Sequence, residues 1–445
     1  MKMESFFRGN GFTTAVVAEN PENIHKNRNT PSSDPTFPKD LVFTNSARNP
    51  IKGSAPLPLT DCNSRIEREA DRNRTLIDKT VTRLRDLAKQ LRDIFIFPDD
   101  KNLWIPSVVY AAYKILRKQK CEHLLTSSPP VSCHAAGLIL KGLFPSLRWI
   151  ADFRDPWIYQ TGSGSVNLHY SRSSRLSQWA SKKMFSKVLS KADIITVTTK
   201  PMIKLFETVS GATLGEKCLL LPNGVDRHIF DNIEPVRISE NKMVFGHLGD
   251  LDYAHRNPEP LLKAFSDLVG NGSLSRDEFE VHFWGRLGSW EGRSLNDMVR
   301  DYELDGVVFE HGQVPYRESL AIMKSVDVLL LFAEDQPLQI PAKTYEYLFA
   351  GTPVLAFVEE GSATQSLIKS FKQVHTTSRK NEKETKSLLA SLFAKRRIEA
   401  RVDESAHDDK RNISTLIFDY HLEKLQQRME SCSGEEVIAT IPEDK

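Results

Sequence analysis

Lys343 and Glu346, three residues apart, put a cation and a carboxylate on one face at the start of a short helix. The segment Ile340 to Phe357 reads as a loop, a helix, a glycine stop and a buried strand. Pro341 falls where a first helical turn accepts proline, and Gly351 where a helix ends. The apolar run Val354 to Val358 has the look of a strand in a parallel sheet. A cation, the free N–H groups of a helix start and a carboxylate together suit a sugar nucleotide, with the diphosphate at the helix end and the ribose hydroxyls on the carboxylate. A solvated Lys/Glu pair on an ordinary helix would give the same local pattern, so the elements that position the pair must decide.

Those elements alternate between strand and helix, the pattern of a parallel α/β fold. In the first half, Thr13 to Ala18, His123 to Thr126, Trp149 to Phe153 and Ile194 to Thr198 read as strands, separated by helices at Ser107 to Gln119, Ser132 to Lys141 and Ser174 to Leu189. Residues 19–60, rich in Pro, Asn, Ser and charge, read as a long surface loop. The polar stretch Asp231 to Asn241 reads as an interdomain hinge. A second series follows, with strands at Met243 to His247, Glu280 to Trp284, Val307 to Glu310, Asp327 to Phe332 and Val354 to Val358, and helices at Pro258 to Leu268 and Tyr316 to Lys324. The organisation expected is an N-terminal domain over 1–232, a C-terminal domain over 240–400, and a helix (Ile413 to Met429) with a flexible tail over 401–445.

With 445 residues the chain has room for two domains. Its 60 Lys+Arg against 58 Asp+Glu argue against a general nucleic-acid binder, which carries a basic excess. The 5 cysteines show no metal-ligand or disulfide-framework spacing, in keeping with a reducing cytoplasm. No secretory signal opens the sequence, and no apolar run is long enough to span a bilayer.

In a pair of Rossmann-like halves a ligand lies at the C-terminal ends of the strands, so chemical residues should follow strands directly. Several do: Ser127 and Ser128 before Pro129-Pro130, Arg154 and Asp155 before Pro156-Trp157, Gly249-Asp250 with Arg256 shortly beyond, and Glu334-Asp335 leading to Lys343 and Glu346. Asp250 and Asp252 form a D-x-D by spacing, but they flank a glycine loop and read as turn acids rather than metal ligands.

In order, the segments SSPP, DFRDPW, LPNGVD, GHLGDLDYAHRNPEPLLKAF, HGQVPYRESLAIMKSVDVLLL and IPAKTYEYLFAGTPVLA make the chain resemble a bacterial glycosyltransferase of GT-B fold. The closest likeness is to the retaining, family 4-like "glycosyl transferases group 1" of cell-surface polysaccharide assembly. The resemblance covers about Phe12 to Phe357. It implies two Rossmann-like parallel-sheet α/β domains facing each other across a cleft, and hexosyl transfer with retention from a donor such as a UDP- or GDP-sugar to a glycan or polyprenyl-linked acceptor. No cofactor or metal is implied beyond that co-substrate. Carried over by position, the resemblance implies that Glu346 binds the ribose, that Arg256 and Lys343 neutralise the diphosphate beside Gly249, and that Arg154, Asp155 and Glu334 are catalytic. Ser127 and Ser128 would belong to an acceptor-side loop. An Arg154–Asp155 pair that merely pins a loop beside Trp157 is the competing reading.

Two departures from the family pattern stand out. The position eight residues before Glu346, a sugar-facing glutamate in many relatives, is Leu338 here, which passes that role to Glu334 or Asp335 or leaves it unfilled. The first strand and glycine loop of the family are expected to be missing before Phe12, which keeps a nucleotide-binding remnant as an alternative to the active transferase. A nucleotide-sugar 2-epimerase is a further alternative on the same fold. Finally, no acidic residue lies between Asp155 and Asp193, while Arg172, Arg175, Lys182, Lys183, Lys187 and Lys191 do. Leu176, Trp179, Ala180, Met184 and Val188 repeat at helical spacing, so 172–191 reads either as a basic amphipathic helix for peripheral contact with the inner face of the plasma membrane or as a helix packed on its own sheet with lysines in water.

Overall fold

A computed structural model describes residues 16–19, 41–44, 97–99, 101–119, 121–160, 166–168, 175–251, 256–290, 292–399 and 416–431. It divides into two compact units, one of residues 1–197 and 202–220, the other of residues 198–201 and 221–445.

The first unit is built on four parallel strands in the order β3-β4-β7-β8, namely His123–Ser128 (β3), Arg148–Phe153 (β4), Ile194–Val197 (β7) and Cys218–Leu220 (β8). Strands Val16–Glu19 (β1) and Leu41–Thr44 (β2) form a separate parallel pair, and Ile158–Gln160 (β5) with Val166–Leu168 (β6) an antiparallel one. The expectation of an unbroken loop over residues 19–60 is therefore corrected: Leu41-Val42-Phe43-Thr44, a β-branched and aromatic run, is a strand in register with β1. Helices Ile105–Lys118 (α1), Ser132–Leu143 (α2) and Arg175–Lys191 (α3) precede β3, β4 and β7 respectively, and α2 packs on β3, β4 and α3. Lys200–Ser210 (α4) leads on to β8.

The second unit opens with the short helix Arg227–Asp231 (α5), capped by the Asp226 carboxylate accepting from Ile229 N–H. Its centre is a six-stranded parallel sheet in the order β13-β10-β9-β14-β15-β16. These are Met243–Leu248 (β9), Phe279–Trp284 (β10), Val308–Gly312 (β13), Val328–Ala333 (β14), Val354–Val358 (β15) and Val374–Thr377 (β16), with a two-strand ribbon Ser289–Trp290 (β11) and Arg293–Ser294 (β12) outside the sheet. β9, β14 and β15 are buried along their whole length, as parallel strands covered on both faces must be. Side-chain alternation splits them between two cores: Phe245, Leu330 and Phe332 join Phe265 and Phe283 on one face, while Val244, Leu248, Leu329 and Leu331 join Tyr347 and Leu348 on the other. The helices are Glu259–Gly270 (α6), Leu295–Asp301 (α7), Tyr316–Met323 (α8), Ala342–Ala350 (α9), Ala363–Ile368 (α10), Glu382–Glu399 (α11) and Phe418–Ser431 (α12).

The segment Asp231 to Asn241, expected as a hinge, lies wholly within this unit. Lys324 Nζ donates to the carbonyls of Phe230 and Ile233, both at 2.8 Å, and Val236 N–H donates to Ser325 Oγ at 2.7 Å. These bonds satisfy polar backbone that a free linker would leave to water. The helix Ile413 to Met429 is found as α12, two residues longer at its end, and the expected flexible tail beyond Ser431 lies outside the described residues.

Pro341 caps α9 and Gly351 stops it in the left-handed conformation, φ 76°. Replacing Gly351 with Ala should lower stability by about 1 kcal/mol, because a Cβ strains that backbone. Replacement with Asn, which tolerates the conformation, should cost clearly less. Chemical denaturation of the full chain compares the two.

Candidate functional site

In the second unit the strand order reverses between β9, which leads to β10 and β13, and β14, which leads to β15 and β16. Ligands of open parallel sheets bind at such a reversal, outside the C-terminal strand ends. β9 and β14 pair only at Val328↔Phe245 and Leu329↔Gly246. Beyond that point side chains take over the ladder. His247 Nδ1 donates to the Leu330 carbonyl at 2.8 Å, and Leu248 N–H donates to the Tyr347 hydroxyl at 2.9 Å.

Lys343, in the first turn of α9, arrives at the same place. Its Nζ stands 3.1 Å from His247 Nε2, and a Cβ on Gly249 would fall on that ammonium. Gly249 has φ +124° and Gly285, whose own Cβ would collide with the Gly249 carbonyl, has φ +134°. Only glycine meets both demands at either position. Arg256 Nη1 donates to the Asp250 carbonyl at 2.8 Å, bringing a second cation alongside. Burial first, then the Arg256 guanidinium, push the Lys343 ammonium down to about 7, against the opposite pull of Asp250 and Glu346. Burial and Lys343 hold His247 well below the ordinary histidine value, so the ring is neutral. Thr344 Oγ1, also in the first turn of α9, is buried with no hydrogen-bond partner among the described residues.

Glu346 lies one turn further along α9 and accepts from the Tyr316 hydroxyl at 2.9 Å. Gly249, Arg256, Lys343 and Glu346 are thus set on the loop after β9 and on the helix after β14, the two elements that flank the reversal. Asp250 does not face a metal. Its carboxylate is clamped by Arg286, from the backbone N–H at 3.1 Å and the guanidinium at 3.1 and 2.5 Å. Burial raises its acidity constant, but those bonds outweigh the effect and hold it below the usual carboxylate range. Asp252 lies outside the described residues, and among the described residues no cluster of three or more His, Cys, Asp or Glu could hold a metal ion.

Glu334, at the end of β14, accepts Arg379 N–H at 3.0 Å, while the Arg379 guanidinium pairs with Asp335. Burial raises the Glu334 carboxyl. The carbonyl of Leu338 accepts from Thr199 Oγ1 at 2.6 Å. Neither His247 nor Arg379 was singled out by sequence reasoning; a histidine inside a buried strand, one residue before a glycine loop, was the available signal.

In the first unit, Ser127 and Ser128 are the last residues of β3 rather than members of a loop, which corrects the expectation. Ser128 is 2% exposed and bonds His134 Nε2 at 2.9 Å. His134 Nδ1 meets Thr126 Oγ1 at 2.8 Å, and that hydroxyl accepts from Trp149 Nε1 at 2.8 Å. Burial pushes His134 down to about 3, so this network is neutral. Ser127 Oγ instead donates to Asp152 at 2.7 Å, as does Thr196 Oγ1 at 2.5 Å. Arg154 pairs with the same fully buried Asp152 at 3.5 Å. The pinning ion pair expected between Arg154 and Asp155 is thus made with Asp152, which sits two residues earlier and on the sheet.

No protein-family model matches the chain, and no curated protein does. Solved structures do. Sucrose-phosphate synthase from Thermosynechococcus elongatus is similar at 17% identity and TM-score 0.52, over 74% of this chain and 79% of that one. The apo structure of OtsA is similar at 11% identity and TM-score 0.52, over 75% and 78%. A glycosyltransferase from Rickettsia africae ESF-5 is similar at 12% identity and TM-score 0.52, over 74% and 81%. The chain has the GT-B fold.

Within its first GT-B unit, α3 buries a different stripe from the one expected. Ser177, Ser181, Phe185, Val188 and Leu189 face the core, while Leu176 is 46% and Trp179 59% exposed. Trp157 explains the change: its Nε1 donates to Ser181 Oγ at 3.3 Å and its ring lies edge-on to Phe185 at 5.4 Å, which turns the small residues inward. Leu176, Trp179, Lys182, Lys183, Lys187 and Lys191 therefore share the exposed side. No helix among the described residues is long and apolar enough to cross a membrane.

The buried lysine sets a pH signature. Folded, Lys343 sheds its proton near 7, whereas unfolded it keeps it to the ordinary 10.5. The unfolded chain therefore holds more protons between those values, so this lysine makes stability rise as pH rises through that window. Lys343→Met should remove that rise and be the more stable protein at neutral pH. Urea midpoints at about pH 7 and pH 9.5 compare the two chains.

Proposed function

We propose that the chain is a retaining, family 4-like glycosyltransferase that moves a hexosyl group from a nucleotide-sugar donor, of the UDP- or GDP-sugar kind, to a glycan or polyprenyl-linked acceptor at the cytoplasmic face of the membrane. The observation that carries this reading is the meeting of Lys343, Arg256 and the Gly249 backbone at the strand reversal. When the bond between the anomeric carbon and the diphosphate breaks, the leaving oxygen gains negative charge. Fixed cations and helix-start amides aimed at that oxygen lower the barrier. With two cations in place the reaction proceeds without a divalent metal. Glu346, oriented by Tyr316, takes the ribose hydroxyls; Glu334 faces the transferred sugar; Arg154 and Asp155 serve the acceptor side beside Ser127. The unmatched hydroxyl of Thr344 supports an anion at this helix start. The shared fold of the solved glycosyltransferases supports the same reaction class.

Calorimetric titration with UDP and GDP tests the donor site. Glu346→Ala removes two charge-assisted hydrogen bonds, each worth roughly 1.5–3 kcal/mol, and should weaken the preferred nucleotide by at least tenfold. Equal affinity in both proteins would refute the ribose assignment. Arg256→Met and Lys343→Met should weaken nucleoside diphosphate but not bare nucleoside, and chelator should leave turnover unchanged.

The membrane contact belongs to α3. Its exposed side joins Leu176 and Trp179 to four lysines with no acidic neighbour in the sequence from Pro156 to Ala192, a composition that suits anionic headgroups over a shallow apolar layer. Sedimentation with anionic vesicles should capture the chain in low salt, and neutral vesicles should not. Lys182→Glu with Lys183→Glu should abolish capture, and Trp179→Ser should weaken it. Capture unaffected by these changes, or a Trp179-dependent dimer, would rule the contact out.

A further inference from the structure

His247 is the buried titratable group that the proposed reaction leaves without a task. It is 0% exposed, and its ring lies between Phe283, at 6.3 Å, and Phe332, at 5.3 Å. An imidazole in an aromatic core needs both nitrogens satisfied, and each nitrogen here has one partner. Nδ1 faces the carbonyl of Leu330, which can only accept, so Nδ1 carries the proton. Nε2 then has a free lone pair, and the atom 3.1 Å away is Lys343 Nζ, which can donate. The tautomer is fixed by the place where β14 leaves β9. The same ring therefore measures the strand separation on one side and holds the ammonium on the other.

We infer that His247 is a positioning residue that, as a neutral acceptor, holds the Lys343 ammonium over the Gly249 backbone, so that nucleoside diphosphate binds to a cation already in place. This rests on the donor-site reading given above. The groups facing Lys343 are His247 and Asp250 from the β9 side, Arg256 from the segment before α6, and Glu346 from its own helix. Arg256 repels the ammonium, while Asp250 is occupied by Arg286. Neutral His247 is therefore the acceptor in direct reach of Nζ. Without it the lysine would give up its proton more readily and swing away from the glycine, and the diphosphate would have to recruit both proton and side chain on binding.

The full chain carrying His247→Phe or His247→Gln tests this in two independent ways. Phe fits an aromatic pocket but cannot accept; Gln offers a carbonyl oxygen near the place of Nε2. Competitive acetylation of Lys343 with acetic anhydride across neutral pH, read by peptide mass spectrometry, reports its protonation with no nucleotide present. In His247→Phe the protonation equilibrium should shift roughly tenfold toward the free amine, the size expected for one hydrogen bond to a charged group, and in His247→Gln by much less. In parallel, titration with UDP and GDP in two buffers of different ionisation enthalpy should show His247→Phe binding the preferred nucleotide roughly tenfold more weakly near neutral pH, with greater proton uptake and unchanged affinity for nucleoside. Identical Lys343 titration in wild type and His247→Phe overturns the inference. So does equal weakening of nucleoside and nucleoside diphosphate, which would mark a structural role. If the wild type binds neither nucleotide, the donor site fails, and the acetylation result still decides whether His247 holds the lysine.

Discussion

The second unit is organised by the parting of two strands. β9 and β14 share only two registered pairs, ending at Leu329↔Gly246, because the sheet grows in opposite directions from them. A parted pair leaves backbone donors and acceptors inside a protein, where an unmet polar group costs about 1–3 kcal/mol. His247 and Tyr347 meet that demand at Leu330 and Leu248. Each lies on a buried element and is placed there by the alternation of the strand or the turn of α9. The polar groups that make the parting tolerable are thus the same groups that line the opening it creates. Lys343 can enter because Gly249 and Gly285 carry no Cβ, and Arg256 can follow because the Asp250 carbonyl anchors it.

The first unit solves a related problem with a buried carboxylate. Asp152 is fully buried in β4, yet two hydroxyls from the neighbouring strands and the Arg154 guanidinium surround it. Ser127 and Thr196 stand opposite Asp152 in the registers of β3 and β7, so the shelter comes from sheet geometry alone. Next to it, His134 ties Thr126 and Ser128 into a neutral set. Removing one partner from such a network costs more than the single bond lost, since the remaining group stays buried. These residues hold the strand ends in place, and Arg154 is thereby fixed at the start of the loop that carries Asp155.

Much of this was legible in the chain and some was not, for identifiable reasons. Strands buried on both faces announce themselves as apolar runs, and Val354–Val358 was read to the residue. Pro341 and Gly351 marked the ends of α9 because backbone sterics act on single residues. Short pieces such as Leu41–Thr44, Cys218–Leu220 and Val374–Thr377 escaped because their strand character depends on the neighbour they pair with. The face of α3 was misread for a similar reason. Helical periodicity offered Leu176 and Trp179 as the core stripe, but the hydroxyl of Ser181 satisfies the buried Trp157 indole and a leucine could not. Hydrophobicity ranks side chains one at a time, whereas a buried donor selects its neighbour by chemistry. The Lys343, Glu346 and Arg256 assignments needed only spacing after strands. The role of His247 needed the partner of each ring nitrogen, which no linear pattern contains.

A desolvated lysine is a poor contributor to stability, and the arrangement around Lys343 is explicable only if something compensates. Asp250 lies close enough to pull its pKa upward, yet the protein commits that carboxylate to Arg286. Glu346 is one turn away and committed to Tyr316. Two cations are thus brought together while the nearby anions are held by other partners, and a neutral ring is used to hold the lysine. A carboxylate in the place of His247 would have made the folded chain more stable by completing an ion pair, but it would have cancelled the charge that an incoming diphosphate needs. Neutral support for a cation keeps the ammonium in position without screening it, which is the property an anion site requires before its ligand arrives.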